Sequence, residues 1–505
     1  MRRMPPARSW PRTSRTILPG KHRKGRNMRV LFVFPIPSVD FIFVDFQFGI
    51  ASISSILKQH GINTRLLTCH CLDKNLVRHA IHDFQPTLIA FSYTSDQCDL
   101  AEQTINYVYD TFHLPIVAGG PHATVAPEET IAIRGLKFLC VGEGEYAMLE
   151  LARALDEKQG LTGIRNLWIK QGNSVVRNDV RNLIEDLDSL PPPDRVLFDY
   201  QAALDVDHRA DFLAGRGCPY PCSYCINHKL RNIYRGKGRY VRLRSVNNVL
   251  DEVLSVLSTY RGVECVNFHD DTFIINKRWA RQFCNEYSHR IGMPLHINAR
   301  ADLIDPEIVD CLKRAGCVEI KIGIEHGNER IRNRVMKRNM SNEQIITAFR
   351  LVKNAGIKAW AYNMMGLPGE TTATINDTIR LNRQVKPDRL FVSMFHPYKG
   401  TTLYEQCEEA GMITPRQASS YFEPVTNMRL PTIGKEELEY RFRLFRIEIM
   451  YPKALWLGKL LVRTRVWKNV TLYDTFHRLL YRLFVLIRRH LPPHLKKLVF
   501  RLLKI

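Results

Sequence analysis

From Met28 onward, apolar residues recur in two alternating patterns. Short continuous runs, such as Arg29-Val30-Leu31-Phe32-Val33-Phe34, Leu88-Ile89-Ala90-Phe91-Ser92 and Pro115-Ile116-Val117-Ala118-Gly119-Gly120, predict buried strands, with a further one at Thr64–Leu67. Longer stretches with helical spacing lie between them, at 49–60, 74–84 and 100–111. Strands separated by helices predict a parallel, doubly wound α/β sheet. Such sheets collect ligands at the carboxyl ends of their strands. The loops expected there are Ser92-Tyr93-Thr94-Ser95, Gly119-Gly120-Pro121-His122 and Val141-Gly142-Glu143-Gly144-Glu145, whose glycines let backbone approach a large ligand closely.

A second alternation follows. Strands are predicted at 211–214, 265–269, 295–298, 319–324, 359–365 and 390–395, with helices such as 247–260 and 342–355 between them. Six repeated βα units predict a barrel-like sheet with its active site at the strand carboxyl ends. The intervening residues 161–207 read as a linker. Pro191-Pro192-Pro193-Asp194 is a stiff spacer, and 182–190 offers little packing of its own. Toward the end, 436–451 predicts an amphipathic helix, and 436–475 reads as packing on the barrel. The segments 477–490 and 491–505 interrupt Leu, Val and Phe with Arg and Lys well short of the ~20 apolar residues that span a bilayer. The final helix therefore has two readings: a cover for the barrel, or a basic amphipathic helix in peripheral contact with an anionic membrane.

Charge changes the picture only at the two ends. Of the net +23, residues 1–27 contribute +9 and residues 453–505 contribute +12, leaving +2 for residues 28–452. A nearly neutral body gives no broad footprint for nucleic acid, which is not an expected partner. Residues 1–27 have no apolar stretch of secretory length and read as disordered, with Met28 a candidate start of translation and a transit peptide the lesser alternative. The length of 505 residues allows about three domains, and 45% apolar content supports sizeable cores. Twelve cysteines at irregular spacings point to a reducing, cytoplasmic setting rather than a disulfide framework.

Three of those cysteines carry the chemistry. In Gly215-Arg216-Gly217-Cys218-Pro219-Tyr220-Pro221-Cys222-Ser223-Tyr224-Cys225, three thiols on one short loop suit three irons of a four-iron cluster and leave the fourth iron open for chemistry. A zinc site completed by His228 is an alternative, but the spacing is not the paired one of zinc ribbons. Packing of free cysteines explains three on a Gly/Pro-rich loop poorly.

With glycines ahead of the first cysteine and Tyr224 before the last, this loop resembles that of the radical S-adenosylmethionine (SAM) superfamily. The upstream strand-end loops and the "LPPPD" segment extend the resemblance, over about residues 28–430, to the subfamily that also binds cobalamin. It includes methyltransferases and anaerobic oxidative cyclases. The resemblance implies a Rossmann-like cobalamin-binding domain at 28–160, a linker at 161–207, a partial (β/α)6 radical SAM barrel at 208–430 and a helical extension at 431–505. It implies a [4Fe-4S] cluster on Cys218, Cys222 and Cys225. SAM would meet Tyr224, Asp270, Asp271, Arg300, Glu325 and Gly366. Cobalamin would lie against Ser92, Thr94, Gly119, Gly120, Gly142 and Glu143. The Asp-x-His-x-x-Gly loop that supplies a histidine to cobalt elsewhere is absent after the first strand, as in many members of the subfamily.

The implied activity is reductive cleavage of SAM by the cluster, fed by an electron donor such as flavodoxin or ferredoxin. A substrate radical follows, with methylation of an unactivated carbon of a small molecule through cobalamin; a lipid-like substrate is the reading that a membrane-facing final helix would suit. Oxidative cyclisation or rearrangement is the alternative within the class. Two readings of other classes are a tRNA-modifying methylthiotransferase and a non-catalytic cobalamin or SAM sensor. Cys69, Cys71, Cys98 and Cys140 do not form the second cluster set that the methylthiotransferase requires.

Overall fold

A computed structural model describes residues 28–36, 46–415, 421, 423–452, 455, 456 and 459. The readings for 1–27 and for 477–505 fall outside these residues. The first sheet is built from β1 (Arg29–Pro35), β2 (Asn63–Cys69), β3 (Leu88–Ser92), β4 (Ile116–Gly119), β5 (Phe138–Cys140), β6 (Leu167–Gln171) and β7 (Ser174–Arg177). Its order is β2-β1-β3-β4-β5-β6-β7. The first five strands are parallel and β6 and β7 antiparallel. Leu31, Val33, Ile89 and Phe91 bury one face, and Val30, Phe32, Leu88 and Ala90 the other. Burial on both faces explains why these strands read as continuous apolar runs. The strand order reverses between β1 and β3, which makes their carboxyl ends the ligand crevice.

The structure differs from the sequence reading at 161–207. β6 and β7 form a hairpin that extends the first sheet, and Leu183 and Leu187 are buried. Hairpin strands this short, four and five residues, lack enough alternation to announce themselves.

The second sheet contains β8 (Arg209–Phe212), β11 (Cys265–Phe268), β12 (Leu295–Ala299), β13 (Cys317–Glu325), β14 (Lys358–Met365) and β15 (Arg389–Met394). All are parallel, in the order β15-β14-β13-β12-β11-β8. Between β8 and β11, β9 (Gly215–Arg216) and β10 (Arg242–Leu243) form a small antiparallel ribbon. The strand predicted at 211–214 lies instead at 209–212. Ala214 leaves the sheet, because its N–H donates to the Asp270 carboxylate (2.9 Å) rather than to a neighbouring strand. The helix Lys435–Met450 packs Leu438, Phe442 and Phe445 into the main core, as amphipathic spacing requires. No helix among the described residues is long and apolar enough to cross a membrane.

Candidate active site

The cysteine loop leaves β9 at the carboxyl end of the second sheet. Gly217 sits at φ +88°, and a Cβ there would stand 2.3 Å from the Tyr240 carbonyl, so a glycine is needed to press the loop onto the strand beside it. Cys222 is buried, whereas Cys218 and Cys225 are half-buried. Burial raises both flanking thiols, that of Cys225 to about 11. Iron bound at these thiols would displace those protons. His228 is occupied: Nε2 accepts from the Thr402 N–H (3.1 Å), and Nδ1 donates to the Cys225 carbonyl (2.6 Å). It is not available as a fourth ligand of a zinc site. No three His, Cys, Asp or Glu side chains among the described residues converge as on a single ion. Thiolates that each bind a different iron stand apart and would not converge.

Two guanidinium groups face the buried sulfur, Arg300 Nη1 at 4.0 Å and Arg338 Nη1 at 3.9 Å from Cys222 Sγ. Paired donors on a cysteine sulfur suit an anionic iron–sulfur cluster, whose potential depends on hydrogen bonds to sulfur. The loop therefore fits the cluster. Arg338 was not legible in the sequence. It lies beyond a strand-end loop, and only the fold brings it to Tyr224 OH (2.9 Å), the Gly323 carbonyl (3.1 Å) and Glu325 (3.3 Å). Glu325 itself holds φ +63°, costly for a residue with a side chain, at the break in register between β13 and β14.

The residues expected around SAM separate into two groups. Asp271 is exposed and accepts from Asn227 (3.0 Å), the neighbour of the cysteine loop whose amide also reaches Cys225 Sγ at 3.5 Å. Tyr224, Glu325 and Gly366 also rim the carboxyl ends, Gly366 donating its N–H to Glu370 (2.5 Å). Asp270 and Arg300 are already engaged. The Asp270 carboxylate is buried and accepts the Ala214 and Gly215 amides; burial pushes it up to about 7. Arg300 is buried, forks onto Asp302 (3.0 and 3.1 Å) and stacks 3.5 Å from the Tyr220 ring centre.

At the crevice of the first sheet lies a cavity of about 220 Å³. Phe32, Phe48, Ser92, Gly119, Gly120, Gly142 and Glu143 line it, together with Leu213 and Arg216 from the segment that follows β8 of the second sheet. Thr94 is outside this lining, exposed at the start of the turn Ser95–Gln97. The Glu143 carboxylate is spoken for by Arg242 (2.8 Å) and Arg216 (3.1 Å), and Arg216 also pairs with Glu145 (2.6 Å). A Cβ on Gly142 would fall 1.9 Å from the Tyr234 hydroxyl, which accepts from the Glu143 N–H (2.7 Å). An apolar crevice with glycines at its rim fits the flat, bulky arm of a cobalamin.

Residues 46–152 match the B12 binding domain and residues 212–381 the radical SAM superfamily. The chain belongs to the radical SAM enzymes that carry a B12-binding domain. It is 26% identical to an uncharacterized methyltransferase of Pyrococcus horikoshii, over 81% of this chain and 88% of that one. It is 24% identical to the anaerobic magnesium-protoporphyrin IX monomethyl ester cyclase of Rubrivivax gelatinosus, over 70% of this chain and 64% of the cyclase. In fold it resembles the radical SAM methyltransferase TsrM of Kitasatospora setae, solved with cobalamin and a [4Fe-4S] cluster bound. There the TM-score is 0.62 and the identity 18%, covering 76% of this chain and 75% of TsrM.

Proposed function

We propose that this chain is a cobalamin-dependent radical SAM methyltransferase acting on a small molecule. The observation that carries the reading is the shared segment between the two sites. Leu213 and Arg216 line the crevice of the first sheet, and Cys218 begins the cysteine loop two residues later. When bound, the cluster, SAM and cobalamin supply reductive carbon–sulfur cleavage and methyl transfer. The chain's residues bind and orient them. Cys218, Cys222 and Cys225 hold the cluster, with Arg300 and Arg338 donating toward Cys222. Asp271, exposed at the rim with one oxygen on Asn227, accepts the SAM ammonium. Asp270 acts through the backbone, fixing Ala214 and Gly215 at the base of the loop. Ser92, Gly119, Gly120 and Gly142 form the floor for cobalamin, and Arg216 and Glu143 tie that floor to the loop.

The reductant is a small low-potential carrier such as flavodoxin or ferredoxin. The test uses reduced protein reconstituted with both cluster and cobalamin, with SAM alone, so that the reduced corrin is the methyl acceptor. Methyl transfer predicts S-adenosylhomocysteine together with 5′-deoxyadenosine, and Cys218→Ala loses the second product. Production of 5′-deoxyadenosine alone would favour cyclisation or rearrangement, the chemistry class to which the second relative's name belongs.

A further inference from the structure

Along the second sheet, one side of each strand packs under the helices: Ile297, Ile320, Ile322, Ala359 and Ala361 belong to the main core. The other side is polar and partly open. His269, Asn298, Gly323, Tyr362, Phe391 and Ser393 are all half-exposed, whereas the lumen of a closed barrel is filled by its own side chains. This lumen has two contrasting edges. On β14 and β15, Trp360, Phe391 and Tyr362 form a ladder of stacked rings, with centroids 5.2 and 5.3 Å apart and planes within 18°.

On the opposite edge, His269 Nε2 donates to the buried Asp211 carboxylate (2.7 Å). Asn267 donates to the same oxygen (2.7 Å), its orientation set by Lys321 donating to Asn267 Oδ1 (3.0 Å). Burial opposes ionisation of Asp211, but the hydrogen bonds from His269 and Asn267 outweigh it and hold the carboxyl low. The Asn267 amide nitrogen also lies 2.7 Å from Nε2, but the ionised Asp211 oxygen between them can only accept, which assigns the ring proton to Nε2 and leaves Nδ1 as a lone pair with no hydrogen bond among the described residues. His269 also stands where the two halves meet. Its ring is 6.1 Å from Phe48, which lines the crevice of the first sheet, and two residues on is Asp271, beside Cys225.

We propose that this lumen recognises a small molecule with a flat apolar body and one hydrogen-bond donor, the body lying on the half-exposed Phe391 and Tyr362 rings, backed by the buried Trp360, and the donor read by His269 Nδ1. Asp211 is the positioning residue. The inference names the substrate class of the enzyme argued above and rests on that reading.

The test is equilibrium dialysis of 2-naphthol and of 2-methoxynaphthalene, the same body without a donor, against protein whose iron and corrin contents have been measured. Wild type is expected to hold 2-naphthol about tenfold more tightly, one hydrogen bond's worth. His269→Phe, loaded with iron and corrin as wild type is, equalises the two probes. Tyr362→Ala weakens both and keeps the preference. Equal binding of the probes by loaded wild type overturns the inference, as does a preference that survives His269→Phe or Tyr362→Ala leaving both affinities unchanged. The wild-type comparison decides even if a variant does not load. Protein that takes up neither iron nor corrin sinks the enzyme reading instead.

Discussion

Asp270 and Asp271 are neighbours with opposite surroundings, and the difference assigns them different work. Asp270 is buried on two backbone amides, so its removal leaves both without an acceptor. Asp270→Ala is expected to lower unfolding stability by about 2 kcal/mol. Asp271 is exposed, and Asp271→Ala should stay within about 0.5 kcal/mol of wild type while weakening SAM. Denaturant melts and SAM dialysis on the two variants check this; matching losses in both assays would refute the division. Arg300 tells the same story, since its fork is filled by Asp302 and its remaining reach is toward Cys222. In each case the sequence placed the residue at the rim but could not show which partner it had already taken.

At the scale of elements, Gly142, the first of the two glycines in the Val141–Glu145 loop, makes the tightest approach of a glycine to the other half of the molecule. Gly142 lies at φ +88°, and a Cβ would collide with the Tyr234 hydroxyl. Gly142→Ala is expected to cost about 2 kcal/mol or more and to reduce corrin retention, as read by thermal melts and by absorbance after gel filtration. Retention equal to wild type would show that the loop does not shape the crevice. The loop itself was legible, as were the alternating strands, because burial on both faces of a parallel sheet leaves unbroken apolar runs. The β6–β7 hairpin was not, being too short to show a period. Arg338 and the Asp211–His269 pair were not either, because long-range partners carry no local signal: 116 residues separate Arg338 from Cys222, and 58 separate His269 from Asp211.

For the whole molecule, Glu143 is one of the residues that join the halves ionically, and it takes two arginines from the second. Burial works against its charge, yet the hydrogen bond from Arg242 and the charges of Arg216 and Arg242 hold it below its ordinary 4.5. A carboxyl lowered on folding contributes stability that is present above pH 4.5 and is lost as pH falls through the folded value. Glu143→Gln leaves the buried Arg242 without its carboxylate, a loss of about 3 kcal/mol at pH 7. Unfolding midpoints of variant and wild type should converge below pH 4.5; a gap that persists in acid would contradict the assignment.

The central claim is that one chain holds two cofactor sites that meet at the segment from Leu213 to Cys218. Iron and corrin contents of anaerobically isolated wild type and of the Cys218→Ala/Cys222→Ala/Cys225→Ala variant test it most directly. The account predicts both in wild type, with near-stoichiometric corrin, and corrin without iron in the variant. Iron without corrin in wild type would contradict it.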